Sequence, residues 1–335
     1  MTKAEPMLSF QMPVAQDVRD AAERLAGVAV RTPVVRSDQL DALTGAQVFV
    51  KLESLQHTGA FKFRGAYNCL SRLDRAVCPD GVVAYSTGNH GQAIATVGRM
   101  LDIPTTVVMP SNAPENKVHK ARLAGATIVR YDRERQSREA VAAELAERGR
   151  YTIVPPGDHH HVIAGQGTVA FEALDQLHGE VDAIVAPCGG GGLSAGICLA
   201  VDAAGSRAQV WAAEPAAFDD TRRSLASGRR ETNAAGRASI CDALLAPIPA
   251  ELPFSINSSR LAGVLAADDA AVKHAMAFCF ETFRVVIEPG GAVALAAMMS
   301  DPAAHALRGK RVVVIASGGN VDAALFADAI TSAAA

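Results

Sequence analysis

A chain of 335 residues, 49% hydrophobic and 20% charged, has ample apolar side chain for one large or two smaller cores, which excludes a disordered polypeptide. Its net charge of −3, without runs of like charge, gives no electrostatic footprint for nucleic acid or an anionic membrane, and no apolar stretch reaches the length of a membrane span. The six cysteines stand apart with no C-x-x-C pair, which points to reduced thiols in a cytoplasmic protein and away from a disulfide framework or a zinc site.

The opening MTKAEPMLSFQMPVAQD lacks the apolar centre of a secretory signal. VRDAAERLAGVA has the period of an amphipathic helix, and RTP stops it. AQVFVKLE reads as a strand. GVVAYS, TTVVMP and ATIVRYD are short apolar runs, separated by the helical HGQAIATVGRML and NKVHKARLAG. DAIVAP, AQVWAAE and RVVVIAS follow, again with helices between, and ITSAAA is a fraying helical tail. Strands of near-continuous Val and Ile alternating with helices predict an α/β protein whose sheets are mostly parallel and covered on both faces. No Pro/Gly/Ser linker interrupts the chain. The short βα units predict a small α/β domain over residues 81–158, inserted in a large domain of residues 1–80 and 159–335.

In such sheets ligands sit beyond the carboxyl ends of the strands. Three turns there bear glycine. AYSTGNHGQAIA puts Ser86, Thr87, Gly88, Asn89 and His90 between a strand and a helix, as a simple cap or an anion site. IVAPCGGGGLSAGI places Gly189, Gly190, Gly191 and Gly192 in the same setting. A tight turn needs one or two glycines; four suit backbone amides closing around a phosphate. VVVIASGGNVDAA adds Ser317 before Gly318 and Gly319. No Walker motif occurs, which disfavours a nucleotide triphosphatase. Lys62, between two phenylalanines in FKFRG, reads by itself as a lysine laying its stem on the rings.

Several segments imitate other chemistries. GLSAG matches the nucleophile elbow of serine hydrolases, with Ser194 as nucleophile and acid and base candidates following in order. GQGTVAFE imitates a dinucleotide fingerprint but has no acidic residue closing the next strand. The His159–His161 tract reads as a solvated loop, since adjacent histidines rarely point at one ion. A non-catalytic binding protein would explain the glycines but not Lys62.

ESLQHTGAFKFRGA resembles the cofactor-lysine motif of fold-type II pyridoxal-phosphate enzymes of the serine/threonine dehydratase and serine racemase family. The similarity continues in family order through STGNHGQA, NAPENKVHKARLAGA, IAGQGTVAFE, GGGGLSAG, EPAAFDD, IEPGGAVALAA and SGGNVD. It implies the tryptophan synthase β-like fold, with two parallel-rich twisted sheets flanked by helices. It also implies a homodimer, pyridoxal 5'-phosphate as cofactor and a small amino acid as substrate. By the resemblance, Lys62 holds the cofactor aldehyde as an imine, and its apolar surroundings favour the neutral, nucleophilic amine. Phe61 lies along the ring, Asn89 touches the phenolic oxygen, and Gly189–Gly192 with the amide of Leu193 cradle the phosphate. Ser317 faces the pyridine nitrogen, while Ser86, Thr87 and Asn89 take the substrate carboxylate. His90 shapes the loop.

Relatives that racemise carry a second serine in this loop, on the face opposite the lysine; here it is Thr87. Dehydration needs Lys62 alone for the α-proton, whereas racemisation also needs a donor on the far face. The expected activity is therefore a dehydratase giving a 2-oxo acid and ammonia from L-threonine or L-serine. Serine racemase and 3-hydroxyaspartate dehydratase or racemase are the alternatives. EPAAFDD resembles the family's cation loop, with Glu214, Asp220 and the carbonyl of Phe218 as oxygen donors for Mg²⁺ or Ca²⁺. Arg138 in QSREA resembles an arginine near the substrate's distal end, which would admit a second carboxylate. The chain also ends without room for the effector domain of biosynthetic threonine dehydratases, so isoleucine feedback is not expected.

Overall fold

The computed structural model describes residues 12–113 and 115–332. The segment that bears on a secretory signal falls mostly on residues 1–11, and the last three alanines end the helical tail; both lie outside the described residues. The Val- and Ile-rich runs form β1 (Val34–Arg36), β2 (Gln47–Leu52), β3 (Gly81–Tyr85), β4 (Thr105–Pro110) and β5 (Thr127–Tyr131). They continue as β6 (Tyr151–Ile153), β7 (Ala183–Pro187), β8 (Gln209–Pro215), β9 (Leu261–Ala267) and β10 (Arg311–Ala316). Among the described residues these make a six-stranded sheet, in the order β1-β2-β10-β7-β8-β9, and a four-stranded sheet, β5-β4-β3-β6. β1 runs antiparallel to β2, and every other pairing is parallel.

Alternation along the central strands explains the layers. Val312 and Val314 of β10 enter one apolar cluster with Val185 of β7 and the helix Pro289–Ser300. Val313 and Ile315 enter another, with Ile184 and the helices His160–Gln176 and Gly192–Ala203. Central strands thus bury both faces: β7 is apolar and buried along its whole length, and β4 is buried throughout, its two leading threonines included.

Three helices meet so closely that glycine is required at the crossings. A Cβ on Gly165 would lie 2.8 Å from the Cα of Gly65, and one on Gly167 only 2.3 Å from the carbonyl oxygen of Gly196. The lysine-bearing helix Lys62–Leu70 and the helix Gly192–Ala203 behind the glycine loop are therefore both seated against His160–Gln176. Among the described residues no helix is long and apolar enough to cross a membrane.

The histidine tract departs from the sequence reading. Instead of a solvated loop it forms the N-cap and first turn of the helix His160–Gln176, with His159 buried and its ring accepting from the amide of His161. Three strands were also missing from that reading. β1 and β6 span three residues each, and the Ala/Gly-rich LAGVLAA of β9 carries no β-period.

Candidate active site

The carboxyl ends of β2, β3, β7 and β10 face one crevice. After β2 the chain turns through two short 3-10 turns into the helix Lys62–Leu70. That entry is pinned to the turn after β10: Ala60 forms an isolated bridge with Gly318, and the amide of Phe61 donates to the carbonyl of Ser317 at 3.0 Å. Two turns separate in sequence are thereby locked side by side. Lys62 points its amine into the crevice, where Nζ donates to the carbonyl of Pro156 at 2.6 Å and lies 4.9 Å from the centroid of the Phe61 ring. Burial brings its ammonium down from the ordinary lysine range to about 8.

The glycine loop follows β7. Gly191 has φ +90°, and it leads directly into the helix Gly192–Ala203. Among the described residues the amides of Gly189, Gly190 and Gly191 donate to no other group, and those of Gly192 and Leu193 open a helix whose first N–H groups have no helical partner. A Cβ on Gly192 would lie 2.9 Å from the Cα of Gly157, and one on Gly191 would lie 2.8 Å from Nδ2 of Asn257, so side chains are excluded from the loop by close packing. Free amides at a helix N-terminus fit a phosphate.

The turn after β3 carries Ser86 and Thr87, both partly exposed, with Ser86 Oγ accepting from the amide of Gly88 at 3.1 Å. Asn89 starts the helix Asn89–Met100. Its Nδ2 donates to Glu288 at 2.6 Å, and its Oδ1 accepts from Asn320 Nδ2 at 2.8 Å. This fixes which way the amide faces and leaves one N–H of Asn89 to spare. Glu288 is buried, and that burial raises its carboxyl to about 7 against the pull of Asn89. His90 is buried in the first turn of that helix, with Nε2 on the carbonyl of Val154 and Nδ1 unpartnered. Burial, then the charge of Lys62, lowers its imidazolium to about 3, so it is neutral.

Ser194 is fully buried. Its hydroxyl donates to the carbonyl of Gly191, accepts from Asn257 and touches the Cys188 thiol; among the described residues no carboxylate or imidazole reaches it, so it has no base to activate it as a nucleophile. The rest of the sequence-selected set lies apart from the lysine. Arg138 begins the helix Arg138–Arg148 and is paired with Glu139; its guanidinium lies 5.5 Å from the ring of Tyr85, the residue just before Ser86. Glu214 ends β8 with both carboxylate oxygens accepting amides, from Thr221 and Arg222. Asp220 is buried with Oδ2 unpartnered. Burial, then Asp220, raises Glu214 to about 8. Among the described residues no cluster of three His, Cys, Asp or Glu side chains is arranged to hold an ion.

A lysine amine made partly neutral by burial and a nest of unused amides are together chemically suited to a phosphorylated aldehyde. Residues 26–318 match the family described as pyridoxal-phosphate dependent enzyme. The chain belongs to that family. Among relatives of this pyridoxal-phosphate dependent enzyme, the L-threo-3-hydroxyaspartate ammonia-lyase of a Pseudomonas species is 43% identical over 95% of this chain and 98% of its own. The serine racemase of Schizosaccharomyces pombe is 37% identical over 94% and 97%. The solved serine racemase of Dictyostelium discoideum superposes with a TM-score of 0.87 at 35% identity, covering 92% of this chain and 99% of that one. Its fold is the fold-type II α/β architecture with two helix-flanked sheets, and this pyridoxal-phosphate enzyme shares it. The relatives are ammonia-lyases and racemases of amino acids.

Sequence reasoning gave no role to Glu288, Asn320 or Gln166. Their signal was present in IEPGGAVALAA, SGGNVD and IAGQGTVAFE, where a polar residue stands among apolar and small ones with nothing local to pair with.

Proposed function

We propose that the protein is a pyridoxal-phosphate-dependent ammonia-lyase converting an L-β-hydroxy amino acid to a 2-oxo acid and ammonia, with 3-hydroxyaspartate ahead of L-serine and L-threonine. The observation that carries the reading is the desolvated amine of Lys62, opposite the unpartnered amides of Gly189, Gly190 and Gly191. The order of substrates rests on the activity named for the Pseudomonas relative and on Arg138, whose cation stands beside the residue that precedes the Ser86–Thr87 turn. A second carboxylate would complement it.

When bound, pyridoxal phosphate supplies an aldehyde that takes up an amine and a ring that draws electrons from the substrate's α-carbon. Each of the chain's own residues has a task around it. The amides of Gly189, Gly190, Gly191, Gly192 and Leu193 would hold the phosphate, and Phe61 would pack on the ring. The spare N–H of Asn89 meets the phenolic oxygen. The neutral hydroxyl of Ser317 would stand at the ring nitrogen, where it would offer no negative charge to hold a proton there. The hydroxyls of Ser86 and Thr87 and the backbone amide of Asn89 would hold the substrate carboxylate. Lys62, in its neutral form, removes the α-proton; the β-hydroxyl leaves as water, and hydrolysis of the remaining enamine returns one water and releases ammonia.

The second reading is a racemase. It is favoured by the serine racemase relative and by the hydroxyl that Thr87 retains in this loop. We treat residues 81–158 as a small domain that brings this loop to a large domain of residues 1–80 and 159–335. A Mg²⁺ or Ca²⁺ ion at Glu214, Asp220 and the Phe218 carbonyl would answer the unpartnered Asp220 oxygen and the two neighbouring buried carboxyls. All six cysteines are free and buried, in keeping with a cytoplasmic setting. The exposed Leu55 and Val286 flank the Gly319 turn and would be covered in a homodimer.

The test is a panel of L- and D-serine, threonine and 3-hydroxyaspartate isomers, following oxo acid and chirality together. Oxo acid from an L-3-hydroxyaspartate isomer, lost in Lys62→Ala, supports the lyase. Inversion without oxo acid promotes the racemase, and turnover that survives Lys62→Ala sinks both.

A further inference from the structure

Gln166 has no solvent exposure, yet only half of its amide is used. Its Nε2 donates to the carbonyl of Pro156 at 3.1 Å, while Oε1 is buried and accepts nothing. The same Pro156 carbonyl takes Nζ of Lys62 at 2.6 Å. One oxygen therefore serves two donors, from two helices packed against each other. The amide cannot be turned over, because that would set Oε1 against the carbonyl oxygen. Nor has it room to drift. Gly165 and Gly167 on either side of it are packed against Gly65 and Gly196, and a Cβ on Gly192 would come within 3.1 Å of Oε1.

We propose that Gln166 is a positioning residue that tunes the proton affinity of the Lys62 amine through the Pro156 carbonyl they share. The inference rests on Lys62 being the residue that captures the cofactor. A second N–H on a carbonyl oxygen puts a positive hydrogen beside it and weakens its hold on an ammonium group. Take that donor away and the oxygen belongs to the lysine alone. The ammonium form is then favoured, and an ammonium cannot attack an aldehyde. Other charges facing Lys62 are few. From the helix Asn89–Met100 comes His90, held neutral with Nε2 on Val154; no carboxylate pairs with Lys62 among the described residues. Burial sets the lysine near 8, where a modest change alters the neutral fraction at physiological pH.

The experiment uses the full chain, stripped of cofactor, as wild type, Gln166→Glu and Gln166→Met. Each is mixed with pyridoxal phosphate across a range of pH, and the rate of covalent capture is followed by absorbance. Borohydride reduction and peptide mapping then identify the attachment point. Met fills nearly the volume of Gln and removes only the donor to Pro156, whereas Glu also brings a carboxylate toward Lys62. The Q166E midpoint for capture is expected to rise by about one pH unit, which slows capture near neutrality about tenfold. Q166M is expected to move the same way by less. An unmoved or lowered midpoint in Q166M overturns the proposal, because a residue that merely fills space would change stability and not the midpoint. If wild type itself carries no pyridoxyl group at Lys62, the underlying site assignment fails instead.

Discussion

On the proposed reading, in which Lys62 removes the α-proton, position 87 decides how far the chemistry can go beyond that step. A threonine hydroxyl can pass a proton, but its methyl group limits its approach to the substrate's far face, and β-branching stiffens its χ1. Thr87→Ser should therefore raise inversion relative to oxo acid by about tenfold, at the low end of what a positioned proton donor contributes. Chiral chromatography beside an oxo-acid assay measures that ratio, and an unchanged ratio removes Thr87 from the proton path. Glu288 makes a separate prediction. Its carboxyl is near 7 in the fold against 4.5 for an ordinary glutamate, so the native state keeps a proton that the unfolded chain releases between those values. The associated stabilisation is complete below 4.5 and is lost as pH rises toward 7, a change on the order of 3 kcal/mol. Glu288→Gln should flatten that part of the stability–pH curve, with the wild-type and variant difference read from urea midpoints of the cofactor-free chain. Residues such as Lys62 and Asn89 were legible because their motifs are local. Glu288 and Gln166 were not, since their partners lie in distant segments that only the fold brings together.

At the scale of the element, the glycine loop has a backbone that admits no side chain at Gly191 or Gly192. Gly191 has a positive φ, and a side chain there would meet Asn257 at 2.8 Å. Gly191→Ala should cost about 1–2 kcal/mol from left-handed backbone strain alone, with the contact adding to it. The strain falls on the amides that would hold the phosphate, so cofactor affinity should drop by roughly tenfold or more. Equilibrium titration with pyridoxal phosphate checks this, and a Gly191→Ala protein that binds as tightly as wild type would remove the loop from the phosphate site. The longer strands were readable because burial on both faces makes them continuous apolar runs; TTVVMP coincides with β4 and RVVVIAS with β10 to within one residue. β9 was invisible for a physical reason. Gly263 lies under the Trp211 ring, where a Cβ would come within 2.4 Å, so this strand is chosen for thinness and carries none of the bulky β-branched pattern of its neighbours. The histidine tract misled because polarity suggests solvent, whereas three imidazoles cluster at a helix start, His159 stacked on His160 and His161 tilted against both.

The molecule as a whole hangs the lysine on a cluster of buried charge that its composition gave no hint of. Arg64, 1% exposed, sends Nε and Nη2 to Glu53 at 2.8 Å each, and Nη1 and Nη2 to Glu172 at 3.1 Å each. Lys51, also buried, joins Glu172 and donates to the carbonyl of Thr32 and to Gln176. The cluster ties the end of β2 and the turn after it to the lysine helix and to the long helix His160–Gln176. Two cations meet two carboxylates, so the group is neutral as a unit and costly to split. Well-packed apolar residues could replace such a cluster without loss of stability; its value is in fixing one arrangement, here the register of Lys62 against the crevice. Removing one member is another matter. Arg64→Met leaves Glu53, with no solvent exposure, as an unpaired buried carboxylate beside Glu172. That should cost about 3–5 kcal/mol, read as a lowered urea midpoint at unchanged slope. Adding Glu53→Gln removes the stranded charge, so the double variant should be less destabilised than the sum of the two single changes. Strict additivity in that cycle would mean that Arg64 and Glu53 act independently, and the cluster would lose its claim to hold the lysine helix in place.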